Sequence, residues 1–397
     1  MLNTSFSPWP NFTPEEATAV QQVLLSNKVN YWTGPECRAF EREFATWAGV
    51  DYAVALSNGT LALDIALKAL NIGPGDEVIV TPRTFIASIS CVVNAGAMPV
   101  FADVDEHSGN ISPATIARVL TPRTKAVICV HLAGWPCDMA GIMALAQAHD
   151  FKVIEDCAQA HGAMYKGRKV GSIGHVGAWS FCQDKIMTTG GEGGMVTTND
   201  RALWSAMWSY KDHGKSWEAV YEREHPRGFR WLHESFGTNW RMLEMQAVIG
   251  RIQLQRMSDW TALRTRNAEA IWAACRPFAA LRVPDFAGLA GAESVHAHYK
   301  CYVYVRPGQL AEGWSRDRIV EAINGLGVPC YQGSCSEVYL EKAFDGTGWR
   351  PEKRLEVARR LGDESLMFLV HPTLTQAEID QTCRAIQTVF EAASAIS

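Results

Sequence analysis

Residues 52–70 read YAVALSNGTLALDIALKAL. An apolar run is followed by Ser57-Asn58-Gly59-Thr60, and then by a stretch whose Leu63, Ala66, Leu67 and Leu70 share one helical face. A short run that is apolar throughout suits a strand buried on both faces, and the helix behind it covers one of them. The same unit recurs downstream. EVIVTP precedes a helix through SISCVVNAG, MPVFADV precedes a helix opening at Ser112-Pro113, and TKAVICVHL precedes a helix through IMALAQAH. FKVIEDCA, GAWSFC and GGMVTT supply further strands. This alternation predicts an α/β fold with a mostly parallel sheet and helices on both faces.

Working outward, Thr13-Pro14-Glu15-Glu16 has the threonine, first-turn proline and glutamate of a capped helix start. TGPECRAFEREFATWAGV places Phe40, Phe44 and Trp47 at helical spacing. Residues 211–236 are polar, aromatic and basic and predict a long excursion. One long helix is expected over Met242–Cys275. Beyond it, HYKCYVYV and SLMFLV read as strands and SRDRIVEAINGLG as a helix. Thr375 caps a last helix that turns Ile379, Cys383, Ile386 and Phe390 inward. The expected division is a large α/β domain over 1–255 and a smaller α+β domain over 256–397.

The 397 residues are 47% hydrophobic and 20% charged, which is ordinary for a globular protein, and the net charge of −5 argues against nucleic acid or an anionic membrane as partner. No apolar run approaches the ~20 residues that span a bilayer. The first residues lack a basic stretch leading into an apolar core, so no secretory signal is expected. Eleven scattered cysteines without a C-x-x-C pattern predict reduced thiols and a cytoplasmic protein.

Ligands of parallel sheets collect where strands end and loops lead into helices. Ser57-Asn58-Gly59-Thr60 stands at such a point and reads either as an anion site or as an ordinary helix cap. Glu155-Asp156 ends the strand FKVI, where a carboxylate is costly unless it is paired or functional. Asp156 can hold a protonated ring nitrogen; a cap or an ion pair explains it equally well. Cys157 and His161 have the spacing of two metal ligands on a helix, but no second pair of matching spacing exists, so no metal is expected. SFCQDKIMTTGGEGGMV, residues 180–196, sets the lone Lys185 on a loop rich in glycine. The loop fits neither the P-loop nor the dinucleotide pattern, so Lys185 is either a solvated amine or an amine that must reach a ligand and swing away. Gly237 to Met242 opens the next helix with a polar Thr238-Asn239.

The order of these signals resembles the DegT/StrS-type sugar aminotransferases, on SNGTLAL, DEVIVTPRTFIAS, EDCAQAHGA, SFCQDKIMTTGGEGGMV and GTNWRMLEMQAVIGRIQL. The resemblance implies the fold type I architecture with its seven-stranded sheet, the cofactor pyridoxal 5′-phosphate (PLP), L-glutamate as donor and a nucleotide-linked keto sugar as acceptor. By the same resemblance Lys185 bonds covalently to PLP, Asp156 pairs with its ring nitrogen, Gln159 meets its ring oxygen and Phe85 stacks on its face. Gly59, Thr60 and Ser180 would hold the phosphate, with Asn239 reaching it from the second subunit of a homodimer. Tyr31 and Tyr331 are expected at the sugar, and Arg241 either at the donor carboxylate or in a structural ion pair. Such enzymes make amino sugars for lipopolysaccharide and other surface polysaccharides or for natural products. Gln183, Asp184 and Ile186 stand where many relatives have His, Pro and Asn. The rivals on the same fold are a PLP-dependent sugar dehydratase, which carries His in place of the lysine, and a non-catalytic sugar sensor, which would have lost Lys185 or Asp156.

Overall fold

Strands that are apolar on both faces must be covered twice, and the computed structural model, which describes residues 6–289 and 291–394, shows how. The helices α1 (Pro14–Leu25) and α2 (Glu36–Ala48) lead into β1 (Tyr52–Leu56), α3 (Gly59–Ala69), β2 (Glu77–Val80), α4 (Ala87–Asn94) and β3 (Met98–Phe101). Then follow α5 (Pro113–Ala117), β4 (Thr124–Val130), α6 (Met139–His149) and β5 (Lys152–Asp156). A hairpin of β6 (Met164–Tyr165) and β7 (Arg168–Lys169) precedes β8 (Val176–Ser180), β9 (Gly194–Thr198), α7 (Arg201–Tyr210) and α8 (Trp217–Tyr221).

The seven strands run in the order β1-β9-β8-β5-β4-β2-β3. From β8 to β3 the pairings are parallel, while β9 is antiparallel to both of its neighbours. Alternation within the strands sorts the core. Val78, Val80, Ala126, Ile128 and Ile154 enter one cluster with residues of α3 and α4. Ile79, Val127, Cys129 and Val153 enter another with Ile116 and Ile142. Successive side chains of a strand point to opposite faces, so an unbroken apolar run is the signature of this two-sided burial.

The rest of the chain forms α9 (Glu244–Gln255), α10 (Met257–Cys275), β10 (Leu281–Arg282), α11 (Phe286–Leu289), β11 (Cys301–Val305), α12 (Arg316–Gly325) and β12 (Cys330–Tyr331). It ends with α13 (Glu356–Glu364), β13 (Ser365–Phe368) and α14 (Gln376–Ala393). A four-stranded sheet in the order β10-β11-β13-β12 is antiparallel throughout. On one side it shares a core with α10, α12 and α14. On the other, Tyr302, Tyr304 and Met367 pack with Ile79 and Val127 of the large sheet.

One expectation needs correction, and one element lay outside the expectations. The helix expected over Met242–Cys275 is two helices that meet at Arg256. Arg256 meets Glu15 at 2.6 Å and Glu16 at 3.2 Å, so its guanidinium grips the start of α1 at the point where the two helices meet. The hairpin β6–β7 lay unseen because pairs of residues this short carry no periodicity. The excursion does leave the sheet, but part of it packs: Trp217 and Tyr221 meet Trp204, Trp208 and Trp32 edge-on or stacked.

Glu16 ties this corner together. It closes the capping box of α1, accepts from Gln253 Nε2 at 2.9 Å and faces Arg256. Burial pushes its carboxyl up, but hydrogen bonds from Thr13 and Gln253 and the charge of Arg256 hold it below the usual value. Glu16→Ala should lower the thermal midpoint by an amount equivalent to about 1–3 kcal/mol at neutral pH. A carboxyl whose folded value is depressed stabilises above its unfolded value and ceases to as pH falls through the folded one, so the gap between variant and parent should close below about pH 4. A gap that persists unchanged at lower pH would contradict this role.

Candidate active site

The carboxyl ends of β1, β5 and β8 open into one cavity of about 1230 Å³. Register puts Asp156 level with Val130 of β4 and Ala178 of β8, at the last paired position of the central strand. Its carboxylate is buried. Oδ2 accepts from Ser88 Oγ of α4 at 2.8 Å, and Oδ1 accepts from the Ala158 N–H at 3.1 Å. Ser88 is itself within 2.8 Å of Thr84 Oγ1. Burial pushes the Asp156 carboxyl up, while Ser88, Ala158 and the charge of Lys185 pull it down. The balance leaves a buried acid above its ordinary value, held by a hydroxyl and an amide, with room for a cation in front of it.

At the end of β1, Asn58 Oδ1 caps α3 by accepting from the Leu61 N–H at 3.0 Å. Gly59, Thr60 and Leu61 line the cavity, and first-turn amides of a helix have no partner inside it. Gly59 has to be glycine because a Cβ there would lie 2.4 Å from Ser180 Cβ, so the helix start and the end of β8 touch. Together they form a cradle of amides and hydroxyls suited to a phosphate.

Lys185 sits on the loop between β8 and β9. Its backbone is fixed: the N–H donates to Cys182 O at 3.1 Å, and the carbonyl accepts from Trp9 Nε1 at 2.8 Å. Its amine lies 5.2 Å over the ring of Tyr299 and 3.7 Å from Asp184 Oδ1. Gly190 and Gly191, at φ 89° and 122°, turn the loop back toward β9 in a conformation that disfavours side chains. Phe85 faces the cavity with 70% of its surface exposed, which is high for a phenylalanine and suits a ring waiting for a stacking partner. Gln159 lines the cavity too, and its Oε1 accepts from the Ala133 N–H at 2.8 Å, which leaves its amide nitrogen as donor.

Residues 10–387 match the DegT/DnrJ/EryC1/StrS aminotransferase family. The chain belongs to this family. A UDP-N-acetyl-3-dehydro-alpha-D-glucosamine 3-aminotransferase of Acidithiobacillus ferrooxidans is 43% identical over 67% of this chain and 68% of its own. A GDP-perosamine synthase of Caulobacter vibrioides is 36% identical over 88% and 89%. The X-ray structure of an aminotransferase from Psychrobacter cryohalolentis superposes with a TM-score of 0.96, at 69% identity over 97% of this chain and 99% of that one. The fold is that of the PLP-dependent aminotransferases, and PLP is the cofactor. The cavity fits the group: a buried carboxylate only partly compensated by its neighbours for a pyridinium, an open aromatic face, and an amide-and-hydroxyl cradle a Cβ at Gly59 would fill.

Of the substrate residues expected from sequence, Tyr331 lines the cavity and two others do not. Tyr31 is corrected: it is 1% exposed, donates to Glu41 at 3.0 Å, accepts from Trp208 Nε1 at 3.0 Å and lies under Lys211. It is a core residue. Arg241 pairs with buried Asp212 at 3.0 Å and lies outside the cavity lining, so the structural ion pair is the better account of it. Asn239 is exposed, bridges to Asp212 through its backbone and is absent from the lining of its own subunit's cavity.

His161 packs against Trp179 and Phe181, and burial, with the charges of Lys185 and Arg264, lowers it to about 3. It lies apart from the close group of His131, Glu155 and Cys157. There His131 Nε2 binds Glu155 at 3.0 Å, Nδ1 accepts from the Cys137 N–H, and Glu155 accepts from Gly171, Ile173 and Gly174. Those polar atoms are already in use. Sequence reading missed Arg264, Tyr299 and Lys300, all of which line the cavity. The first was signalled: Arg264 shares a helical face with Ala268, Ile271 and Cys275, all buried.

Gly59→Ala should weaken PLP binding at least ~10-fold, the cost of one or two displaced hydrogen bonds to a charged group. Titrating apoenzyme with PLP checks it; unchanged affinity would place the phosphate elsewhere.

Proposed function

We propose that this enzyme moves the amino group of L-glutamate to a keto sugar linked to a nucleotide, as a cytoplasmic homodimer with shared active sites. Two relatives are named for amino transfer to, or synthesis of, nucleotide-linked sugars. The cavity, at about 1230 Å³, exceeds the ~300–1,000 Å³ usual for small-ligand sites, which supports a large acceptor. The observation that carries the proposal is that Asp156, from the end of β5, and Lys185, from the loop after β8, face this one cavity.

PLP, when bound, supplies an electron sink for the carbon that loses its proton. Asp156 would keep the ring nitrogen protonated, and Ser88 holds that carboxylate in place. Phe85 would cover one face of the ring, Gln159 would donate to its oxygen, and Gly59, Thr60 and Ser180 would hold the phosphate. Lys185 Nζ, once displaced by the donor's amine, would take the proton from the donor's α-carbon and deliver it to C4′ of the cofactor, the carbon that keeps the nitrogen when the oxo acid leaves. Trp9 pins the lysine's backbone, so the movement is confined to its side chain. Tyr331 would meet the sugar. Asn239 would complete the phosphate site of the partner, which accounts for its exposure in one subunit. The domains would divide near Arg256. The product is an amino sugar for surface polysaccharide or natural-product assembly. A dehydratase would need His at position 185.

Holoenzyme given L-glutamate and a panel of nucleotide keto sugars should release 2-oxoglutarate with at least one; release with none would contradict the proposed substrates. Mixed dimers of Lys185→Ala with Asn239→Ala carry one intact site if the sites are shared. They should recover roughly half of parental turnover, following the count of intact sites. Mixed dimers no more active than either variant alone would exclude sharing.

A further inference from the structure

Away from the phosphate cradle the cavity has a second cationic wall. Arg264 of α10 is 1% exposed and lines the cavity with its guanidinium 5.1 Å from the centre of the Trp9 ring. Its Nη1 reaches only the carbonyls of His298 and Tyr299, at 3.4 and 3.5 Å. Its Nε and Nη2 are buried without a hydrogen-bond partner among the described residues. Lys300 lies 4.8 Å over the same Tyr299 ring that carries Lys185 at 5.2 Å. Burial lowers Arg264 to about 9 and Lys300 to about 8. Asp184, whose charge acts on Lys300, accepts from Tyr299 Oη at 2.5 Å and faces Lys185. It forms no ion pair with Arg264.

A buried guanidinium with two free donors is costly unless an anion meets it. Its planar fork matches the paired oxygens of a carboxylate or phosphate. The PLP phosphate has its own cradle at Gly59, Thr60 and Ser180, so this wall awaits a different anion. In an α-amino acid the carboxylate is bonded to the very carbon whose proton Lys185 removes, so its anion must bind beside that lysine. The phosphates of a nucleotide sugar are held off from the reacting carbon by the sugar ring.

We propose that Arg264, assisted by Lys300, binds the carboxylate of the amino donor and of the oxo acid it becomes. This rests on the aminotransfer proposed above and assigns its donor subsite.

The test is calorimetric titration of 2-oxoglutarate into PLP-loaded holoenzyme, which lacks the amine needed to turn it over. Arg264→Gln should weaken binding ~10–100-fold, as expected for a lost charge-assisted pair, and Arg264→Lys should recover part of the loss. UDP, titrated as a stand-in for the acceptor's phosphates, should bind the variant as it binds the parent. If Arg264→Gln fails to retain PLP, Lys300→Met carries the same expectation in smaller degree. Unchanged 2-oxoglutarate binding in a PLP-loaded variant would overturn the assignment. Weakened UDP binding with 2-oxoglutarate unaffected would also overturn it, giving the wall to the acceptor. Release of 2-oxoglutarate from L-glutamate by the parent enzyme tests the underlying activity separately.

Discussion

A carboxylate buried at the end of the central strand is the constraint on which the site depends. Asp156 occupies the last paired position of β5, with β4 and β8 on either side, and the low dielectric around it penalises its charge. Ser88 and Ala158 offset part of that penalty, and a cation brought into the cavity would offset more of it. The sheet thus holds an acid that is incompletely satisfied alone and that a protonated heterocycle would satisfy. Around that point stand the cradle at the ends of β1 and β8, the aromatic face of Phe85, and the loop that carries Lys185.

Rigid and mobile parts are divided accordingly. Strand ends and a helix start supply the groups that must stay still. The lysine comes from a loop whose backbone is pinned by Trp9 Nε1 and turned by two glycines, while its side chain stays free. The second sheet closes the cavity from the opposite side. Tyr299, just ahead of β11, has the amines of Lys185 and Lys300 over its ring at 5.2 and 4.8 Å, and Arg264 of α10 reaches its carbonyl at 3.5 Å. On the proposed assignments, cofactor and donor would be served by different layers of one molecule.

Much of this was legible in the sequence because it follows from local pattern. The run YAVAL and the face of Leu63, Ala66 and Leu67 specify a strand and a helix without reference to anything distant. Asp156 stood out as a charge at the end of an apolar run, and Lys185 as a long side chain among glycines. What escaped depends on distant contacts. The break at Arg256 arises from glutamates more than two hundred residues earlier, and the burial of Tyr31 from Glu41, Trp208 and Lys211. Arg264 looks like any surface arginine until its helical face is compared with the buried residues that share it.

The most direct measurement is the ¹⁵N chemical shift of ring-labelled PLP reconstituted into the parent and into Asp156→Ala. The account predicts a protonated ring nitrogen in the parent near neutral pH, and a signal moved to the unprotonated range in the variant. The same nitrogen signal in both proteins would mean that the carboxylate at the end of β5 does not hold the cofactor.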